Sequence, residues 1–231
     1  MMIQQPKPLT VKRDLPRPSD AQIAAFQAIP TGFVADALAG RGVLAPAIKP
    51  LLEGNLPFHA AGPAVTAHNS PGDLLATLAA LNDVQKGDIV VATVCGHQGN
   101  AAAGDLVMAM LKNGGGAALV TDGPMRDLSG IVDVGLPVWC TGLSPASPST
   151  SGPGTVGLPI QIGGQCVSSG DMIVADRDGV VVVPLGEIDT VLATLDTIRA
   201  AEAAYDAEIR AGRKVSRKAL DVLSDGRTDF L

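Results

Sequence analysis

Aromatic side chains are scarce: four Phe, one Tyr and one Trp in 231 residues. That excludes the stacking platforms on which single-stranded nucleic acids are read, and it requires a core built of Ala, Val, Leu and Ile. Basic charge is short as well. Lys and Arg number 17 against 23 Asp and Glu, for a net charge of −6, the opposite of what a polyanion-binding surface needs. Cysteine and histidine occur three times each. Cys95, Cys140 and Cys166 are odd in number and far apart, without a CxxC pair, so they support neither a disulfide framework nor a thiolate metal site. With only His59, His68 and His97 and no HExxH, zinc has too few ligands. No apolar run nears the roughly 18 residues of a membrane helix, and the opening MMIQQPKPLT lacks the apolar stretch of a secretory leader. The expectation is a cytoplasmic protein with neither a membrane nor a nucleic-acid partner.

What the chain does have is a hydrophobic fraction of 46% with 17% charged residues, the balance of a folded domain. Its length fits one domain with extensions: an arm over residues 1–18, a single domain over 19–212 and a tail over 213–231. The 27 Gly and 17 Pro punctuate short apolar runs rather than forming a block. Ser19 reads as the N-cap of a first helix, DAQIAAFQAI, and a second runs from Thr31 to a stop at Gly40. GPAVTAHN (62–69), GDIVVATV (87–94) and GAALVTD (116–122) read as strands. They alternate with helices over 72–84, over 101–113 with Gly114 as its stop, and from Arg126 onward. Such alternation argues for βαβ units and a mostly parallel sheet. After LPVWCTG (136–142) comes a Pro, Ser and Gly loop over 144–157. PIQIGGQCV, DMIVAD and GVVVVP then follow with only turns between them, an antiparallel texture that makes the sheet system mixed. Residues 186–211 read as a long Ala-rich helix.

The segment with chemistry in it is GHQGNAAAGDLVMAMLKNGGGAALVTDGPMRD, residues 96–127. If the strands ending near Val94 and Thr121 are parallel neighbours, both carboxyl ends lie at one edge of the sheet, where open α/β sheets bind ligands. Asp105, Arg126 and Asp127 then converge, and the amides of residues 104–107 could grip an anion. Asp127 can hold a hard divalent ion completed by water, which suits Mg²⁺ better than Ca²⁺ or Zn²⁺. Arg126 can face a carboxylate or a developing oxyanion, and Asp105 can orient a water that serves as base. An α-keto acid is the ligand such a set would take, with its enolate stabilised as the neighbouring C–C bond breaks. Taken as spacing alone, the same residues also read as turn formers and N-caps. His97 reads as an ordinary loop residue near the crevice and Cys95 as a small hydrophobe packed in the sheet. The glycines at 114–116 read as a helix stop, because no P-loop lysine follows.

At these residues the sequence resembles the RraA-like family, and within it the class II pyruvate aldolase branch of 4-hydroxy-4-methyl-2-oxoglutarate and 4-carboxy-4-hydroxy-2-oxoadipate aldolases. That branch carries an Asp, twenty residues, then Arg-Asp, matched here by Asp105, residues 106–125, Arg126 and Asp127. The likeness extends through GPAVTA, GDIVVA, DGPMRD, LPVWCTGLSP and GDMIVADRDGVVVVP, over roughly residues 30–210. It implies a layered α/β/β swivelling-type domain with N-terminal helices and a long C-terminal helix, assembled as trimers or hexamers. It also implies aldol cleavage of a 4-hydroxy-2-oxo acid to pyruvate through a metal-stabilised enolate, with oxaloacetate decarboxylation on the side. By the same resemblance Asp127 is the direct ligand to Mg²⁺ or Mn²⁺. Arg126 binds pyruvate together with the backbone of Gly104, Asp105 and Leu106, and Asp105 holds the water shell with Glu202 supplied by an adjacent subunit. Ala103 stands where the family usually has a larger residue, which implies a roomier pocket or a different acceptor. RraA regulators, which bind RNase E and lack the full Asp and Arg-Asp set, share the fold. A non-catalytic oligomeric module that binds a protein partner is therefore the second reading. A methyltransferase comes last, because no Gly-rich loop with an acidic ribose partner is present.

Overall fold

The computed structural model describes residues 7–231; the first six residues of the expected arm lie outside the described residues. In chain order the elements are β1 (Leu9–Val11), α1 (Asp20–Ala25), α2 (Thr31–Ala37), β2 (Lys49–Pro50), β3 (Ala60–Asn69), α3 (Leu75–Ala80), β4 (Ile89–Thr93), α4 (Asp105–Asn113), β5 (Ala118–Thr121), α5 (Leu128–Val134), β6 (Val138–Cys140), β7 (Gly154–Val156), β8 (Ile160–Ile162), β9 (Gln165–Val167), β10 (Met172–Ala175), β11 (Val180–Val183), α6 (Ile188–Arg210) and α7 (Arg217–Ser224). The α/β class and the mixed sheet read from the sequence are what the structure shows. β3, β4, β5 and β6 are parallel neighbours in chain order, joined by α3, α4 and α5. β10 lies antiparallel to both β11 and the first half of β3, so β3 belongs to two layers.

The alternation of side chains along the buried strands builds these layers. In β4, Val90 and Ala92 face the helices α3, α4 and α5, packing with Ala76, Met108, Leu111 and Ile131. Ile89 and Val91 face the other way, onto Ile173, Ala175, Val180 and Val182 of the β10–β11 hairpin. The outer face of that hairpin, Met172, Val174, Val181 and Val183, is covered by Phe26, Val34 and Leu38 and by Ile188, Val191 and Leu195 of α6. Helices thus cover both outer faces of a β/β pair. The Trp139 indole is fully buried in the layer between the sheets and donates to the Asp176 carbonyl at 2.7 Å. Its apolar ring fills the layer while its one donor finds an acceptor.

Four sequence readings change. The arm contains a strand, β1, parallel to β7, and β7 itself lies inside the segment read as loop. Three-residue strands carry too short a pattern to read, and their pairing partner lies far away in the chain. Arg17 fixes the same arm with two hydrogen bonds, of 2.9 and 2.6 Å, to the fully buried carboxylate of Asp88. The segment read as tail holds α7, capped by Ser216 and tied back by Arg217 to Glu208. Finally, α4 starts at Asp105 and not at residue 101.

Candidate active site

The late start of α4 is what assembles the site. Residues 101–103, though all alanine, lie outside the helix, beside the loop after β5. The Ala102 amide donates to the Pro124 carbonyl at 2.7 Å and the Arg126 amide to the Ala103 carbonyl at 3.1 Å. Met125 in turn bridges to Leu143 beyond β6. Three loops leaving the carboxyl ends of β4, β5 and β6 therefore extend the parallel order past the sheet, and Ala103, Met125 and Leu143 lie side by side. Tertiary pairing overrides the helix preference of the alanines, and it sets Gly104 and Asp105 next to Arg126 and Asp127.

Gly104 is where the approach is tightest. A Cβ there would lie 2.5 Å from Asp127 Oδ2 and 3.0 Å from Arg126 Cγ, so only glycine lets the α4 entry touch both side chains. Asp127 sits at the N-cap position of α5 with φ +61°, yet its side chain makes no capping bond. The left-handed backbone costs about 1 kcal/mol, and the carboxylate is not spent on the helix in return. It accepts instead from Arg126 Nε at 3.0 Å, while Arg126 Nη1 donates to Ser147 Oγ. Asp127 is 43% exposed and Arg126 32%; both remain open to a ligand.

Asp105 is held on the other side. Its Oδ1 accepts the Leu106 amide at 2.7 Å, and its carboxylate packs on Gly130 of α5, where a Cβ would come within 2.2 Å of Oδ2. The Val107 and Met108 amides both go to the Gly104 carbonyl. Of the amides expected to grip an anion, those of Gly104 and Asp105 are the ones without a partner among the described residues. A cleft of about 190 Å³ opens over this set, walled by apolar residues of α3 and α4 with Pro148, and Ala103, Gly104, Asp105, Leu106, Arg126 and Asp127 all line it. The structure thus brings five of the six expected site residues into one cleft. Asp122, from the same DGPMRD run, serves the fold: it accepts from Thr93 Oγ1 and from the amides of Val94 and Gly96, and so shapes the turn after β4.

The family model for RraA-like proteins, described as Aldolase/RraA, matches residues 31–182. The chain belongs to the RraA-like family. A relative from Halalkalibacterium halodurans, named "Putative 4-hydroxy-4-methyl-2-oxoglutarate aldolase", is 39% identical over 170 residues, which are 74% of this chain and 80% of that one. Among solved structures, RraAS2 of Streptomyces coelicolor, described as an unusual member of the RNase ES inhibitor RraA protein family, matches with a TM-score of 0.72 at 28% identity, covering 84% of this chain and 100% of that one. An uncharacterized protein from Pseudomonas syringae pv. tomato matches with a TM-score of 0.74 at 22% identity over 86% and 96% of the two chains, a likeness of fold.

In this RraA-like cleft the donor set suits a hydrated hard cation. Asp105 and Asp127 supply carboxylate oxygens, no imidazole or thiolate lines the cleft, and among the described residues no three His, Cys, Asp or Glu side chains are grouped so as to hold a metal ion by themselves. Glu202 is not brought to the cleft within its own chain. It lies exposed on α6, and the buried residues of that helix are Ile188, Val191 and Leu195, all at its beginning. His97 proves to be partnered, its Nε2 lying 3.0 Å from Asn100 Oδ1. Cys95 corrects the sequence reading: it is exposed in the turn after β4, at φ +57°, with Sγ 3.8 Å from His68 Nε2. The strand ends two residues earlier, and Asp122 draws the turn outward. Ser147 and Gly130 carried no signal beyond their types, because both act through contacts between loops remote in sequence. No helix of the described residues is long and apolar enough to cross a membrane.

Proposed function

We propose that this RraA-like protein is a divalent-metal-dependent aldolase that cleaves a 4-hydroxy-2-oxo acid or diacid to pyruvate and a second carbonyl compound, and that decarboxylates oxaloacetate as a side reaction. The observation that carries the reading is one cleft lined by a single guanidinium, Arg126, bonded to the Asp127 carboxylate, by the carboxylate of Asp105, and by the amides of Gly104 and Asp105, which have no partner among the described residues. Asp127 would hold Mg²⁺ or Mn²⁺ directly and Asp105 would hold its water shell. When bound, the cation supplies Lewis-acid polarisation of the 2-oxo group. Arg126 binds the 2-oxo acid through Nη2, which has no partner among the described residues, and faces the charge that grows on the 2-oxo oxygen as the C3–C4 bond breaks. The Gly104 and Asp105 amides orient the substrate carboxylate. Asp105 takes the proton of the 4-hydroxyl through one water as C3–C4 breaks and the second carbonyl forms, and the same route returns a proton to C3 of the enolate to complete pyruvate. Oxaloacetate enters the same chemistry because losing CO₂ leaves the same three-carbon enolate. The exposed second half of α6 leaves Glu202 open to an adjacent subunit, so in the trimer or hexamer that the family resemblance implies, Glu202 of the partner subunit would complete the water shell.

The test is pyruvate release from 4-hydroxy-4-methyl-2-oxoglutarate and related 4-hydroxy-2-oxo acids, followed with lactate dehydrogenase in the presence of Mg²⁺ or Mn²⁺. No pyruvate from any of them, nor from oxaloacetate, overturns the reading. The likeness to RraAS2 favours a second reading, an oligomeric regulator that binds a protein partner. A defined partner retained equally by wild type and Asp127→Ala, with no pyruvate formed, would establish it.

A further inference from the structure

The loop between β6 and β7 touches Arg126 directly, and three tethers hold it in place. We infer that Ser147 is a positioning residue for the Arg126 guanidinium, kept in register by the Asn100–His97 pair. This rests on the reading of Arg126 as the cation that binds the 2-oxo acid. Arg126 Nε donates to Asp127 Oδ2 at 3.0 Å and Nη1 donates to Ser147 Oγ. Two of the three guanidinium nitrogens are thus fixed from separate loops, which stops rotation of the planar fork. Nη2 has no partner among the described residues and is the donor left for a carboxylate or an oxyanion. Without Ser147, Nη1 would be free and the fork could swing about its remaining bond to Asp127.

The loop could not do this if it were slack. Asn100 Nδ2 donates to the Ser147 carbonyl at 2.7 Å, and the Ala101 amide donates to the Ala146 carbonyl at 2.9 Å. On the far side Ser149 Oγ donates to the buried Asp73 carboxylate at 2.7 Å. Because Asn100 uses its amide nitrogen on Ser147, its Oδ1 is left facing His97 Nε2 at 3.0 Å, a pairing in which the ring nitrogen is the donor. His97 therefore props Asn100, Asn100 props the backbone of Ser147, and the Ser147 hydroxyl holds Arg126.

The experiment uses the full chain with Mg²⁺ and oxalate, a planar dianion shaped like the pyruvate enolate. Calorimetry gives the oxalate Kd for wild type, Ser147→Ala, Ser147→Thr and Arg126→Ala, alongside melting temperatures and the KM and kcat for oxaloacetate. Ser147→Ala should weaken oxalate roughly tenfold, the lower end for a charge-assisted hydrogen bond that water can partly replace. Its KM should rise in step and its kcat should fall, because Arg126 also faces the charge that develops in the reaction, while the melting temperature holds. Ser147→Thr, which keeps the hydroxyl, should bind within about threefold of wild type. If Ser147→Ala binds oxalate like wild type while Arg126→Ala does not, the positioning role is wrong and the reading of Arg126 stands. A Ser147→Ala loss that comes with a lower melting temperature and is not restored by Thr also overturns it. If wild type fails to bind oxalate, or Arg126→Ala binds it unchanged, the reading of Arg126 fails and the inference falls with it.

Discussion

Substituting Gly104 by alanine should damage the site without damaging the fold. Its φ of −139° and ψ of −169° are extended values that any residue adopts, so the methyl group adds no backbone strain. By restricting the unfolded chain it should even stabilise the protein by about 0.4 to 1 kcal/mol. The added Cβ would however lie 2.5 Å from Asp127 Oδ2 and 3.1 Å from Arg126 Nε, where ordinary contact begins at 3.4 Å. Asp127 must therefore retreat by about 0.9 Å. Its side chain is exposed enough to do so cheaply, and the hydrogen bond that aligns Arg126 goes with it. A misplacement near 1 Å in a positioned group costs about 100-fold, or about 2.7 kcal/mol of transition-state stabilisation. The assay is kcat/KM for pyruvate release at saturating Mg²⁺, with calorimetric melting on the same preparation. A Gly104→Ala protein that melts at or above the wild-type temperature and keeps kcat/KM within about threefold would refute the claim that this close approach organises catalysis.

Arg126→Ala should lower kcat/KM by roughly 2 to 4 kcal/mol, the usual size of an oxyanion-donor loss, with an unchanged melting temperature; a defect confined to stability would assign the residue to the fold. Arg17→Met leaves the buried Asp88 carboxylate with the Gln85 amide at 2.8 Å as its remaining partner. Urea titration should show a loss of about 2 to 3 kcal/mol, below the full figure for a buried pair because Arg17 is partly exposed; a change under about 0.5 kcal/mol would mean the arm is not anchored there. Asp73 supplies a pH dependence. Burial pushes its carboxyl up, but hydrogen bonds from the Ser149 hydroxyl and the amides of Leu75, Ser151 and Gly152 outweigh that and leave it below the usual range. Its contribution is thus fully present above the ordinary carboxylate pKa of about 4 and is lost as pH falls through the lower folded value. The melting-temperature advantage of wild type over Asp73→Ala should therefore shrink on acidification below about pH 4, and an advantage that grew there would reverse the sign.

The sequence made the βαβ frame legible because β3, β4 and β5 are apolar runs long enough to carry a pattern and are separated by helical stretches. The parallel crossover then implied that Asp105 and the Arg126–Asp127 pair would meet although twenty residues separate them, and the structure places them in one cleft. Three alanines favour helix in isolation, so the sequence alone places the start of α4 at residue 101, whereas here they pair with the loop after β5. β1 and β7 carry no readable pattern because each is three residues long, and their partners lie far off in the chain, β1 to β7 across more than 140 residues and β7 to β3 across more than 80. Ser147 and Gly130 could not be singled out, since a serine in a Pro and Ser loop or a glycine in a short helix acquires a role only from what packs against it. Glu202 rests on the family resemblance, and its own chain leaves it in solvent.

The central claim is a carboxylate-held cation acting with Arg126 on a 2-oxo acid. Pyruvate release from oxaloacetate, measured with Mg²⁺ and with EDTA on wild type and Asp127→Ala side by side, tests it most directly. The account predicts turnover with Mg²⁺ that EDTA abolishes and that the folded variant lacks. Equal rates for wild type and variant, or wild-type turnover indifferent to EDTA, would contradict it.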